Sequence, residues 1–272
     1  MARRPAVAVD PAAGWADLHE WEEQTGYRLP FLLKLLTAAT PLSLQAHPSA
    51  EQARDGFERE NALGIPVDDP KRNYRDPYAK PELIVAVEDG FEALCGFREP
   101  DHILWELDAL ADLGLGGLDG LRRVLLGPDP LRATFTWLLS GHPQVRSLVE
   151  GLTLLAQAHP GRLPLARTLC DEYPGDPGLL VSLLMNHVTL AAGEALWLPA
   201  GNIHAYLRGY GVELMGPSDN VLRGGLTPKH VDIAELENVL DFTPIRSPLL
   251  APERVGPHTR TYRPASHSSG TD

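Results

Sequence analysis

The run Leu42-Ser43-Leu44-Gln45-Ala46-His47-Pro48 alternates apolar and polar residues without a break. In a β-strand successive side chains point to opposite faces. Ser43, Gln45 and His47 therefore share one face, and Leu42, Leu44 and Ala46 share the other. An apolar back with a Ser/Gln/His front suits a barrel wall whose polar side lines a pocket. It equally suits a half-exposed strand with its polar side in water, and the segment alone leaves both open.

Working outward, Leu29 to Ala39 is strongly apolar and reads as a buried strand, as does the β-branched run Leu83 to Val87. A short helix is expected around Trp15 to Glu23 and another over Glu51 to Asn61, with a loop from Ile65 to Pro77. From Glu99 to about Met185 the spacing becomes helical. Val145, Leu148, Val149, Leu152 and Leu155 make one stripe, Leu131, Phe135 and Leu138 suggest a preceding helix, and Pro128, Pro130, Pro143 and Pro160 punctuate the segment. Strand signals return at Val188 to Leu190, Leu196 to Leu198, His204 to Leu207 and Gly211 to Met215, separated by Gly/Pro turns. The reading is mainly β with an α insertion, the strands forming a barrel or jelly roll. It divides the chain into an N-terminal segment (1–26), the first part of the barrel (27–98), a helical insertion (99–186) and the remainder of the barrel with one closing helix (187–246). The Pro-, Ser- and Thr-containing tail (247–272) is expected to be disordered.

A chain of 272 residues with 43% apolar and 22% charged residues has enough material for a full core. No apolar run reaches membrane-spanning length, and Asp10 and Pro11 interrupt the apolar stretch after Arg3 and Arg4. The expectation is a cytoplasmic protein without a membrane partner, its two cysteines, Cys95 and Cys170, reduced. A net charge of −12 argues against nucleic acid, which needs clustered positive charge, but not against a small phosphorylated molecule in a locally basic pocket.

Two further segments bear on chemistry. Glu82 opens the strand that starts at Leu83, and His204 follows the turn Pro199-Ala200-Gly201-Asn202. One amide oxygen (Gln45), two imidazoles (His47, His204) and one carboxylate (Glu82) form an acceptable zinc set; an amide in place of thiolates leaves the ion more Lewis-acidic. A core histidine and a surface ion pair are the competing readings for His204 and Glu82. Non-haem iron chemistry is disfavoured, since only two histidines fall in the set. The Gly/Pro-rich stretch from Glu213 to Lys229 reads as a tight loop carrying Arg223 and Lys229, either closing on a ligand or solvated.

The segments PLSLQAHP (41–48), GFERENALGIP (56–66), RNYRDPYAKPEL (72–83), LPAGNIHAY (198–206) and ELMGPSDNVLRGGLTPKHVD (213–232) occur in an order and at separations that resemble type I mannose-6-phosphate isomerase. The resemblance covers about Leu29 to Phe97 and Met185 to Phe242. It implies a cupin-like jelly-roll barrel plus an all-α helical domain. It also implies one Zn²⁺ per chain on Gln45, His47, Glu82 and His204, and interconversion of mannose 6-phosphate and fructose 6-phosphate through an enediol. Arg223 would be the catalytic arginine, Glu213 or Lys80 the proton mover, and Ser43, Asp219 and Lys229 substrate-binding residues.

Two departures stand out. Where the family usually has Asn-His-Lys-Pro-Glu, this chain has Tyr78-Ala79-Lys80-Pro81-Glu82. The family's Tyr-x-Trp-Gly and Trp-Met-Gly-x-His-Pro segments are not found, and the chain stops near the start of the family's second cupin-like half. The resemblance thus implies a chain shortened at both ends, with a metal- and sugar-phosphate-binding remnant without turnover as the alternative. Unsealed strand edges predict self-association or marginal stability; otherwise the chain is a monomer.

Overall fold

Two blocks of strands flank one block of helices in the computed structural model, which describes residues 14–15, 18–246 and 248–264, the side chain of His19 excepted. The first block holds α1 (Leu18–Thr25), β1 (Leu32–Ala38), β2 (Leu44–Ala46), α2 (Ala50–Ala62), β3 (Glu82–Ala86) and β4 (Phe91–Phe97). The helices are α3 (Pro100–Asp112), α4 (Asp119–Leu125), α5 (Pro130–Leu139), α6 (Pro143–Ala158), α7 (Pro164–Glu172) and α8 (Gly178–Val181). Then come β5 (Met185–Leu190), β6 (Ala195–Leu198), β7 (His204–Met215), β8 (Leu222–Gly225), α9 (Ile233–Val239), β9 (Leu249–Leu250), β10 (Glu253–Arg254) and β11 (Arg260–Thr261).

Local chemistry explains the helix starts. Ser49 and Gln52 form a reciprocal capping box on α2, and α3, α5, α6 and α7 each begin with a proline, which needs no N–H there. The α6 stripe is buried at Val145, Leu148, Val149 and Leu152, with Leu155 half-buried.

The architecture is mainly β: nine strands form a nearly closed barrel, with helices packed on it. Strand β7 is its hub. Its first half pairs with β2 and β4, and its second half with β1 and β3. The sequence reading splits this segment into His204 to Leu207 and Gly211 to Met215; the structure makes it one strand. Gly209 (φ 123°) absorbs the bend, so the chain turns without leaving the sheet. A bulge adjoins it, since Glu92 faces Arg208 while the next residue, Ala93, faces Tyr206. The extra residue reverses the in/out alternation of β7, which brings Tyr206 and Glu213 to one side.

A Cβ on Gly209 would lie 2.7 Å from the Phe91 Cα. Gly209→Ala is therefore expected to lose about 2–4 kcal/mol, from left-handed strain plus overpacking. Equilibrium denaturation reads this, and an unchanged midpoint would contradict the strain argument.

Leu44 and Ala46 are fully buried in one core shared with helical residues Ile103, Phe135, Leu152 and Leu184. The helices cover the apolar back of β2 and leave its front, with Gln45 and His47, facing the barrel side. Strand β4, which carries Cys95, is absent from the sequence reading. Both cysteines are free and buried, and burial pushes the Cys95 thiol up to about 12.

Two expectations are corrected. Leu29 to Ala39 does contain a strand, but not a buried one: among the described residues β1 pairs with β7 alone, and Leu33 and Leu35 are 65% and 72% exposed. An apolar run states a tendency to be covered, and no described residue covers this face. The tail expected to be disordered also folds in part. Leu249–Leu250 pairs with β6, β10 pairs with β11, and the Tyr262 hydroxyl donates to Gly193 O at 2.6 Å. The otherwise open edge of β6 supplies backbone partners that composition does not reveal. The rest of that tail (265–272) and residues 1–13 lie outside the described residues. No helix among the described residues is long and apolar enough to cross a membrane.

Candidate metal centre

Strand register assembles the site. Gln45 on β2 lies opposite His204 on β7 and opposite Arg223 on β8, so all three project to one face. His47 follows two residues after Gln45, on the same side. Glu82 opens β3, which pairs with the far half of β7, and the barrel's curl brings its carboxylate to the two imidazoles. His47 Nε2 is 3.3 Å from Glu82 Oε1, and His204 Nε2 is 3.3 Å from Glu82 Oε2. All three side chains are essentially inaccessible to solvent.

The outer ring nitrogens decide what the inner ones are. His47 Nδ1 lies 2.7 Å from Asn220 O, and His204 Nδ1 lies 3.1 Å from Asn202 O. A carbonyl oxygen only accepts, so each Nδ1 carries the proton and each neutral ring presents a bare Nε2 lone pair. Both Nε2 atoms and Glu82 Oε2 are buried without a hydrogen-bond partner. Three acceptors facing one another with no hydrogen between them are costly unless a cation sits among them. The donor set is that of a divalent metal site: His47, Glu82 and His204 offer ligand atoms all within 4.8 Å of one another.

Electrostatics agrees. Burial, opposed by Glu82 and reinforced by the Lys80 charge, lowers His47 to about 4, which keeps it neutral and ligand-ready at neutral pH. Burial raises the Glu82 carboxyl, the Lys80 ammonium 2.9 Å away lowers it, and on balance the carboxyl is held well below the usual range.

The unfolded chain takes up a proton on His47 near pH 6.5, and the folded one only near 4. Between those values the unfolded state binds more protons, so stability falls as the pH falls, by about 3 kcal/mol for this group. Chelated protein should therefore melt progressively lower from pH 6.5 to 4.5, and His47→Gln should remove part of the slope. A flat profile in both would defeat this assignment.

Around the centre, Lys80 Nζ is 2.9 Å from Glu82 Oε1 in a nearly buried position. The Tyr206 hydroxyl donates to Glu213 Oε1 at 3.0 Å, and Lys34 Nζ is 3.8 Å from Glu213 Oε2. Burial and the nearby Glu82 charge raise the Glu213 carboxyl, and burial and the Glu82 and Glu213 charges raise the Tyr206 hydroxyl well above its usual value. Ser43 is half-buried one alternation before Gln45. Asp219 and Lys229 are exposed, the first with its N–H on Asp76 and the second with its N–H on the Thr227 hydroxyl.

His47, Glu82, His204 and Lys80 thus gather at one site, with Gln45 and Arg223 at paired strand positions beside His204 and Glu213 reached through Tyr206. Asp219 and Lys229 stay on the outer loop. Sequence reasoning passed over Lys34, Tyr206, Asn202 and Asn220. Only Lys34 had a visible signal, as a lone charge inside the apolar run from Phe31 to Leu36.

Comparison with known proteins identifies a family. Residues 12–100 match the family model described as "Phosphomannose isomerase type I, catalytic domain". The chain is 42% identical over 220 residues to "Mannose-6-phosphate isomerase" of Salmonella typhimurium, covering 79% of this chain and 55% of that protein. With the Rattus norvegicus protein of the same name the identity is 33% over 261 residues, covering 87% and 59%. Among solved structures, "mannose 6-phosphate isomerase (holo; zinc bound)" superposes with a TM-score of 0.74 at 39% identity, covering 86% of this chain and 60% of that one. The chain therefore spans somewhat over half the length of these relatives. With matching motifs, matching fold and a His/Glu/His centre of its own, this chain belongs to the type I phosphomannose isomerase family.

Proposed function

We propose that the chain is a zinc-dependent aldose–ketose isomerase that interconverts mannose 6-phosphate and fructose 6-phosphate in the cytoplasm. The observation that carries this is the trio of buried, hydrogen-free ligand atoms on His47, Glu82 and His204. The zinc-bound mannose 6-phosphate isomerase structure and the Salmonella typhimurium mannose-6-phosphate isomerase support the choice of ion and substrate. We read the barrel as a cupin-like jelly roll (27–98 and 187–246) interrupted by the helical insertion (99–186).

Gln45, His47, Glu82 and His204 would hold the ion. Bound zinc supplies a positive charge that polarises substrate oxygens. The hard step is ionising a carbon acid while negative charge grows on O1 and O2. Arg223 adds a fixed positive charge there that cannot be lost by deprotonation. Glu213, with a raised carboxyl, or Lys80 moves the proton between C1 and C2, taking over where the family's histidine is replaced by Ala79. The Tyr206 hydroxyl orients Glu213 Oε1. Ser43, Asp219 and Lys229 would contact sugar hydroxyls and phosphate.

A coupled fructose-6-phosphate assay on chelated protein, with and without added zinc, tests the reading. Zinc-restored turnover supports it. Calorimetric binding of the sugar phosphate without turnover would instead favour a binding-only protein, the reading that Ala79 supports.

A further inference from the structure

Asn220, fully buried, staples two loops together beside the metal centre. Its Oδ1 accepts the Arg75 N–H at 2.7 Å and the Asp76 N–H at 3.2 Å. Its Nδ2 donates to Asp76 O at 2.7 Å and Tyr78 O at 2.9 Å, and its own carbonyl takes the His47 Nδ1–H at 2.7 Å. The staple fixes Arg75 on the loop that leads to Lys80 and Glu82, against the segment that leads to Arg223.

Arg75 and Arg223 are both half-buried, and neither guanidinium has a hydrogen-bond or carboxylate partner among the described residues. The Arg75 backbone is held on Asn220, three residues before Arg223, and, second to burial, the charge of Arg75 also lowers the Arg223 guanidinium. Two like charges on segments stapled side by side, neither paired with an acid, are a repulsive arrangement, found here on a chain of net charge −12. Such a pair is relieved by an external anion, and a guanidinium fork matches the oxygens of a phosphate.

We infer that Arg75 is the phosphate-recognition residue of this site, binding the substrate's phosphate dianion on the rim while Arg223 serves the reacting end. The inference rests on the sugar-phosphate reading above and deepens it. It adds a phosphate contact to those proposed for Ser43, Asp219 and Lys229, of which Asp219 and Lys229 are exposed on the outer loop.

The test compares Arg75→Ala and Arg75→Lys with the unaltered zinc-loaded chain, using inorganic phosphate as the binding probe and fructose 6-phosphate as substrate. The bond from Arg75 to Asn220 uses the backbone N–H, which alanine keeps, so the melting temperature should hold. Arg75→Ala should weaken phosphate binding roughly 10–100-fold, the loss expected of a charge-assisted bidentate contact. KM for fructose 6-phosphate should rise by a similar factor with kcat within about threefold, since uniform binding is lost and not the chemistry. Arg75→Lys should recover part of both. Equal phosphate affinity in Arg75→Ala and the unaltered chain overturns the assignment, as does a phosphate affinity too weak to measure in the unaltered chain. A lowered melting temperature with unchanged affinity would overturn it too, making Arg75 a structural residue. If the unaltered chain binds phosphate but turns nothing over, the isomerase reading fails and the phosphate arm still decides the role of Arg75.

Discussion

Glu82→Ala is expected to empty the metal centre and abolish turnover, with zinc content after dialysis falling from stoichiometric to near background. Glu82 is the only carboxylate in the His47/Glu82/His204 group, and each of its oxygens faces one imidazole at 3.3 Å. Without it the two neutral imidazoles give the ion no compensating charge in a buried site. Loss of an orienting partner around a metal ligand already costs 10–100-fold in affinity, and loss of the charged ligand itself should exceed that. The substitution also strips Lys80 of the carboxylate 2.9 Å from its nearly buried ammonium. Breaking a buried pair from one side costs about 3–5 kcal/mol, because the other charge stays behind. Two readouts thus move together: metal analysis, and the melting temperature of chelated protein. Glu82→Gln keeps the shape and should show the same loss of zinc with a smaller cavity effect. Stoichiometric zinc in Glu82→Ala, with unaltered melting, would remove the basis for the centre.

Arg223→Ala should separate chemistry from metal binding. Arg223 sits opposite Gln45 across the β2–β8 pair, facing the centre without contributing a ligand atom. Zinc content should therefore stay within error of the unaltered chain. Turnover should fall about 10²–10³-fold, the usual consequence of removing one preorganised charge from a developing oxyanion. Burial lowers the Arg223 guanidinium from its usual value, yet an arginine so placed keeps its proton at neutral pH, which is what a fixed charge requires. Arg223→Lys should recover little, since a point charge on a flexible stem does not reproduce the planar fork. The role division fails if zinc content and turnover drop by the same factor.

The two substitutions together probe how the site is layered. Glu82 acts on the ion, and its charge also raises the Glu213 carboxyl. Removing it should bring Glu213 back toward the ordinary carboxylate range. Under the proposed function Arg223 would act on the substrate, with Gln45 as its cross-strand neighbour.

Much of this was determined by local sequence. The alternation over Leu42 to His47 put Gln45 and His47 on one face and Leu44 and Ala46 on the other, because a strand has a period of two whatever surrounds it. The helical block was readable from proline punctuation and apolar stripes for the same reason: both are properties of the segment itself. Tertiary structure alone decided the rest. The β-bulge and Gly209, which turn two expected strands into one and bring Tyr206 to Glu213, arise from pairing between residues more than a hundred positions apart. The exposure of Leu33 and Leu35 depends on what packs over β1, and the ordering of Leu249–Leu250 on the free edge of β6; neither is a property of the strand. The meeting of Glu82 with two imidazoles requires the barrel to curl. No periodicity encodes that, because it is fixed by which strands exchange hydrogen bonds across the whole chain.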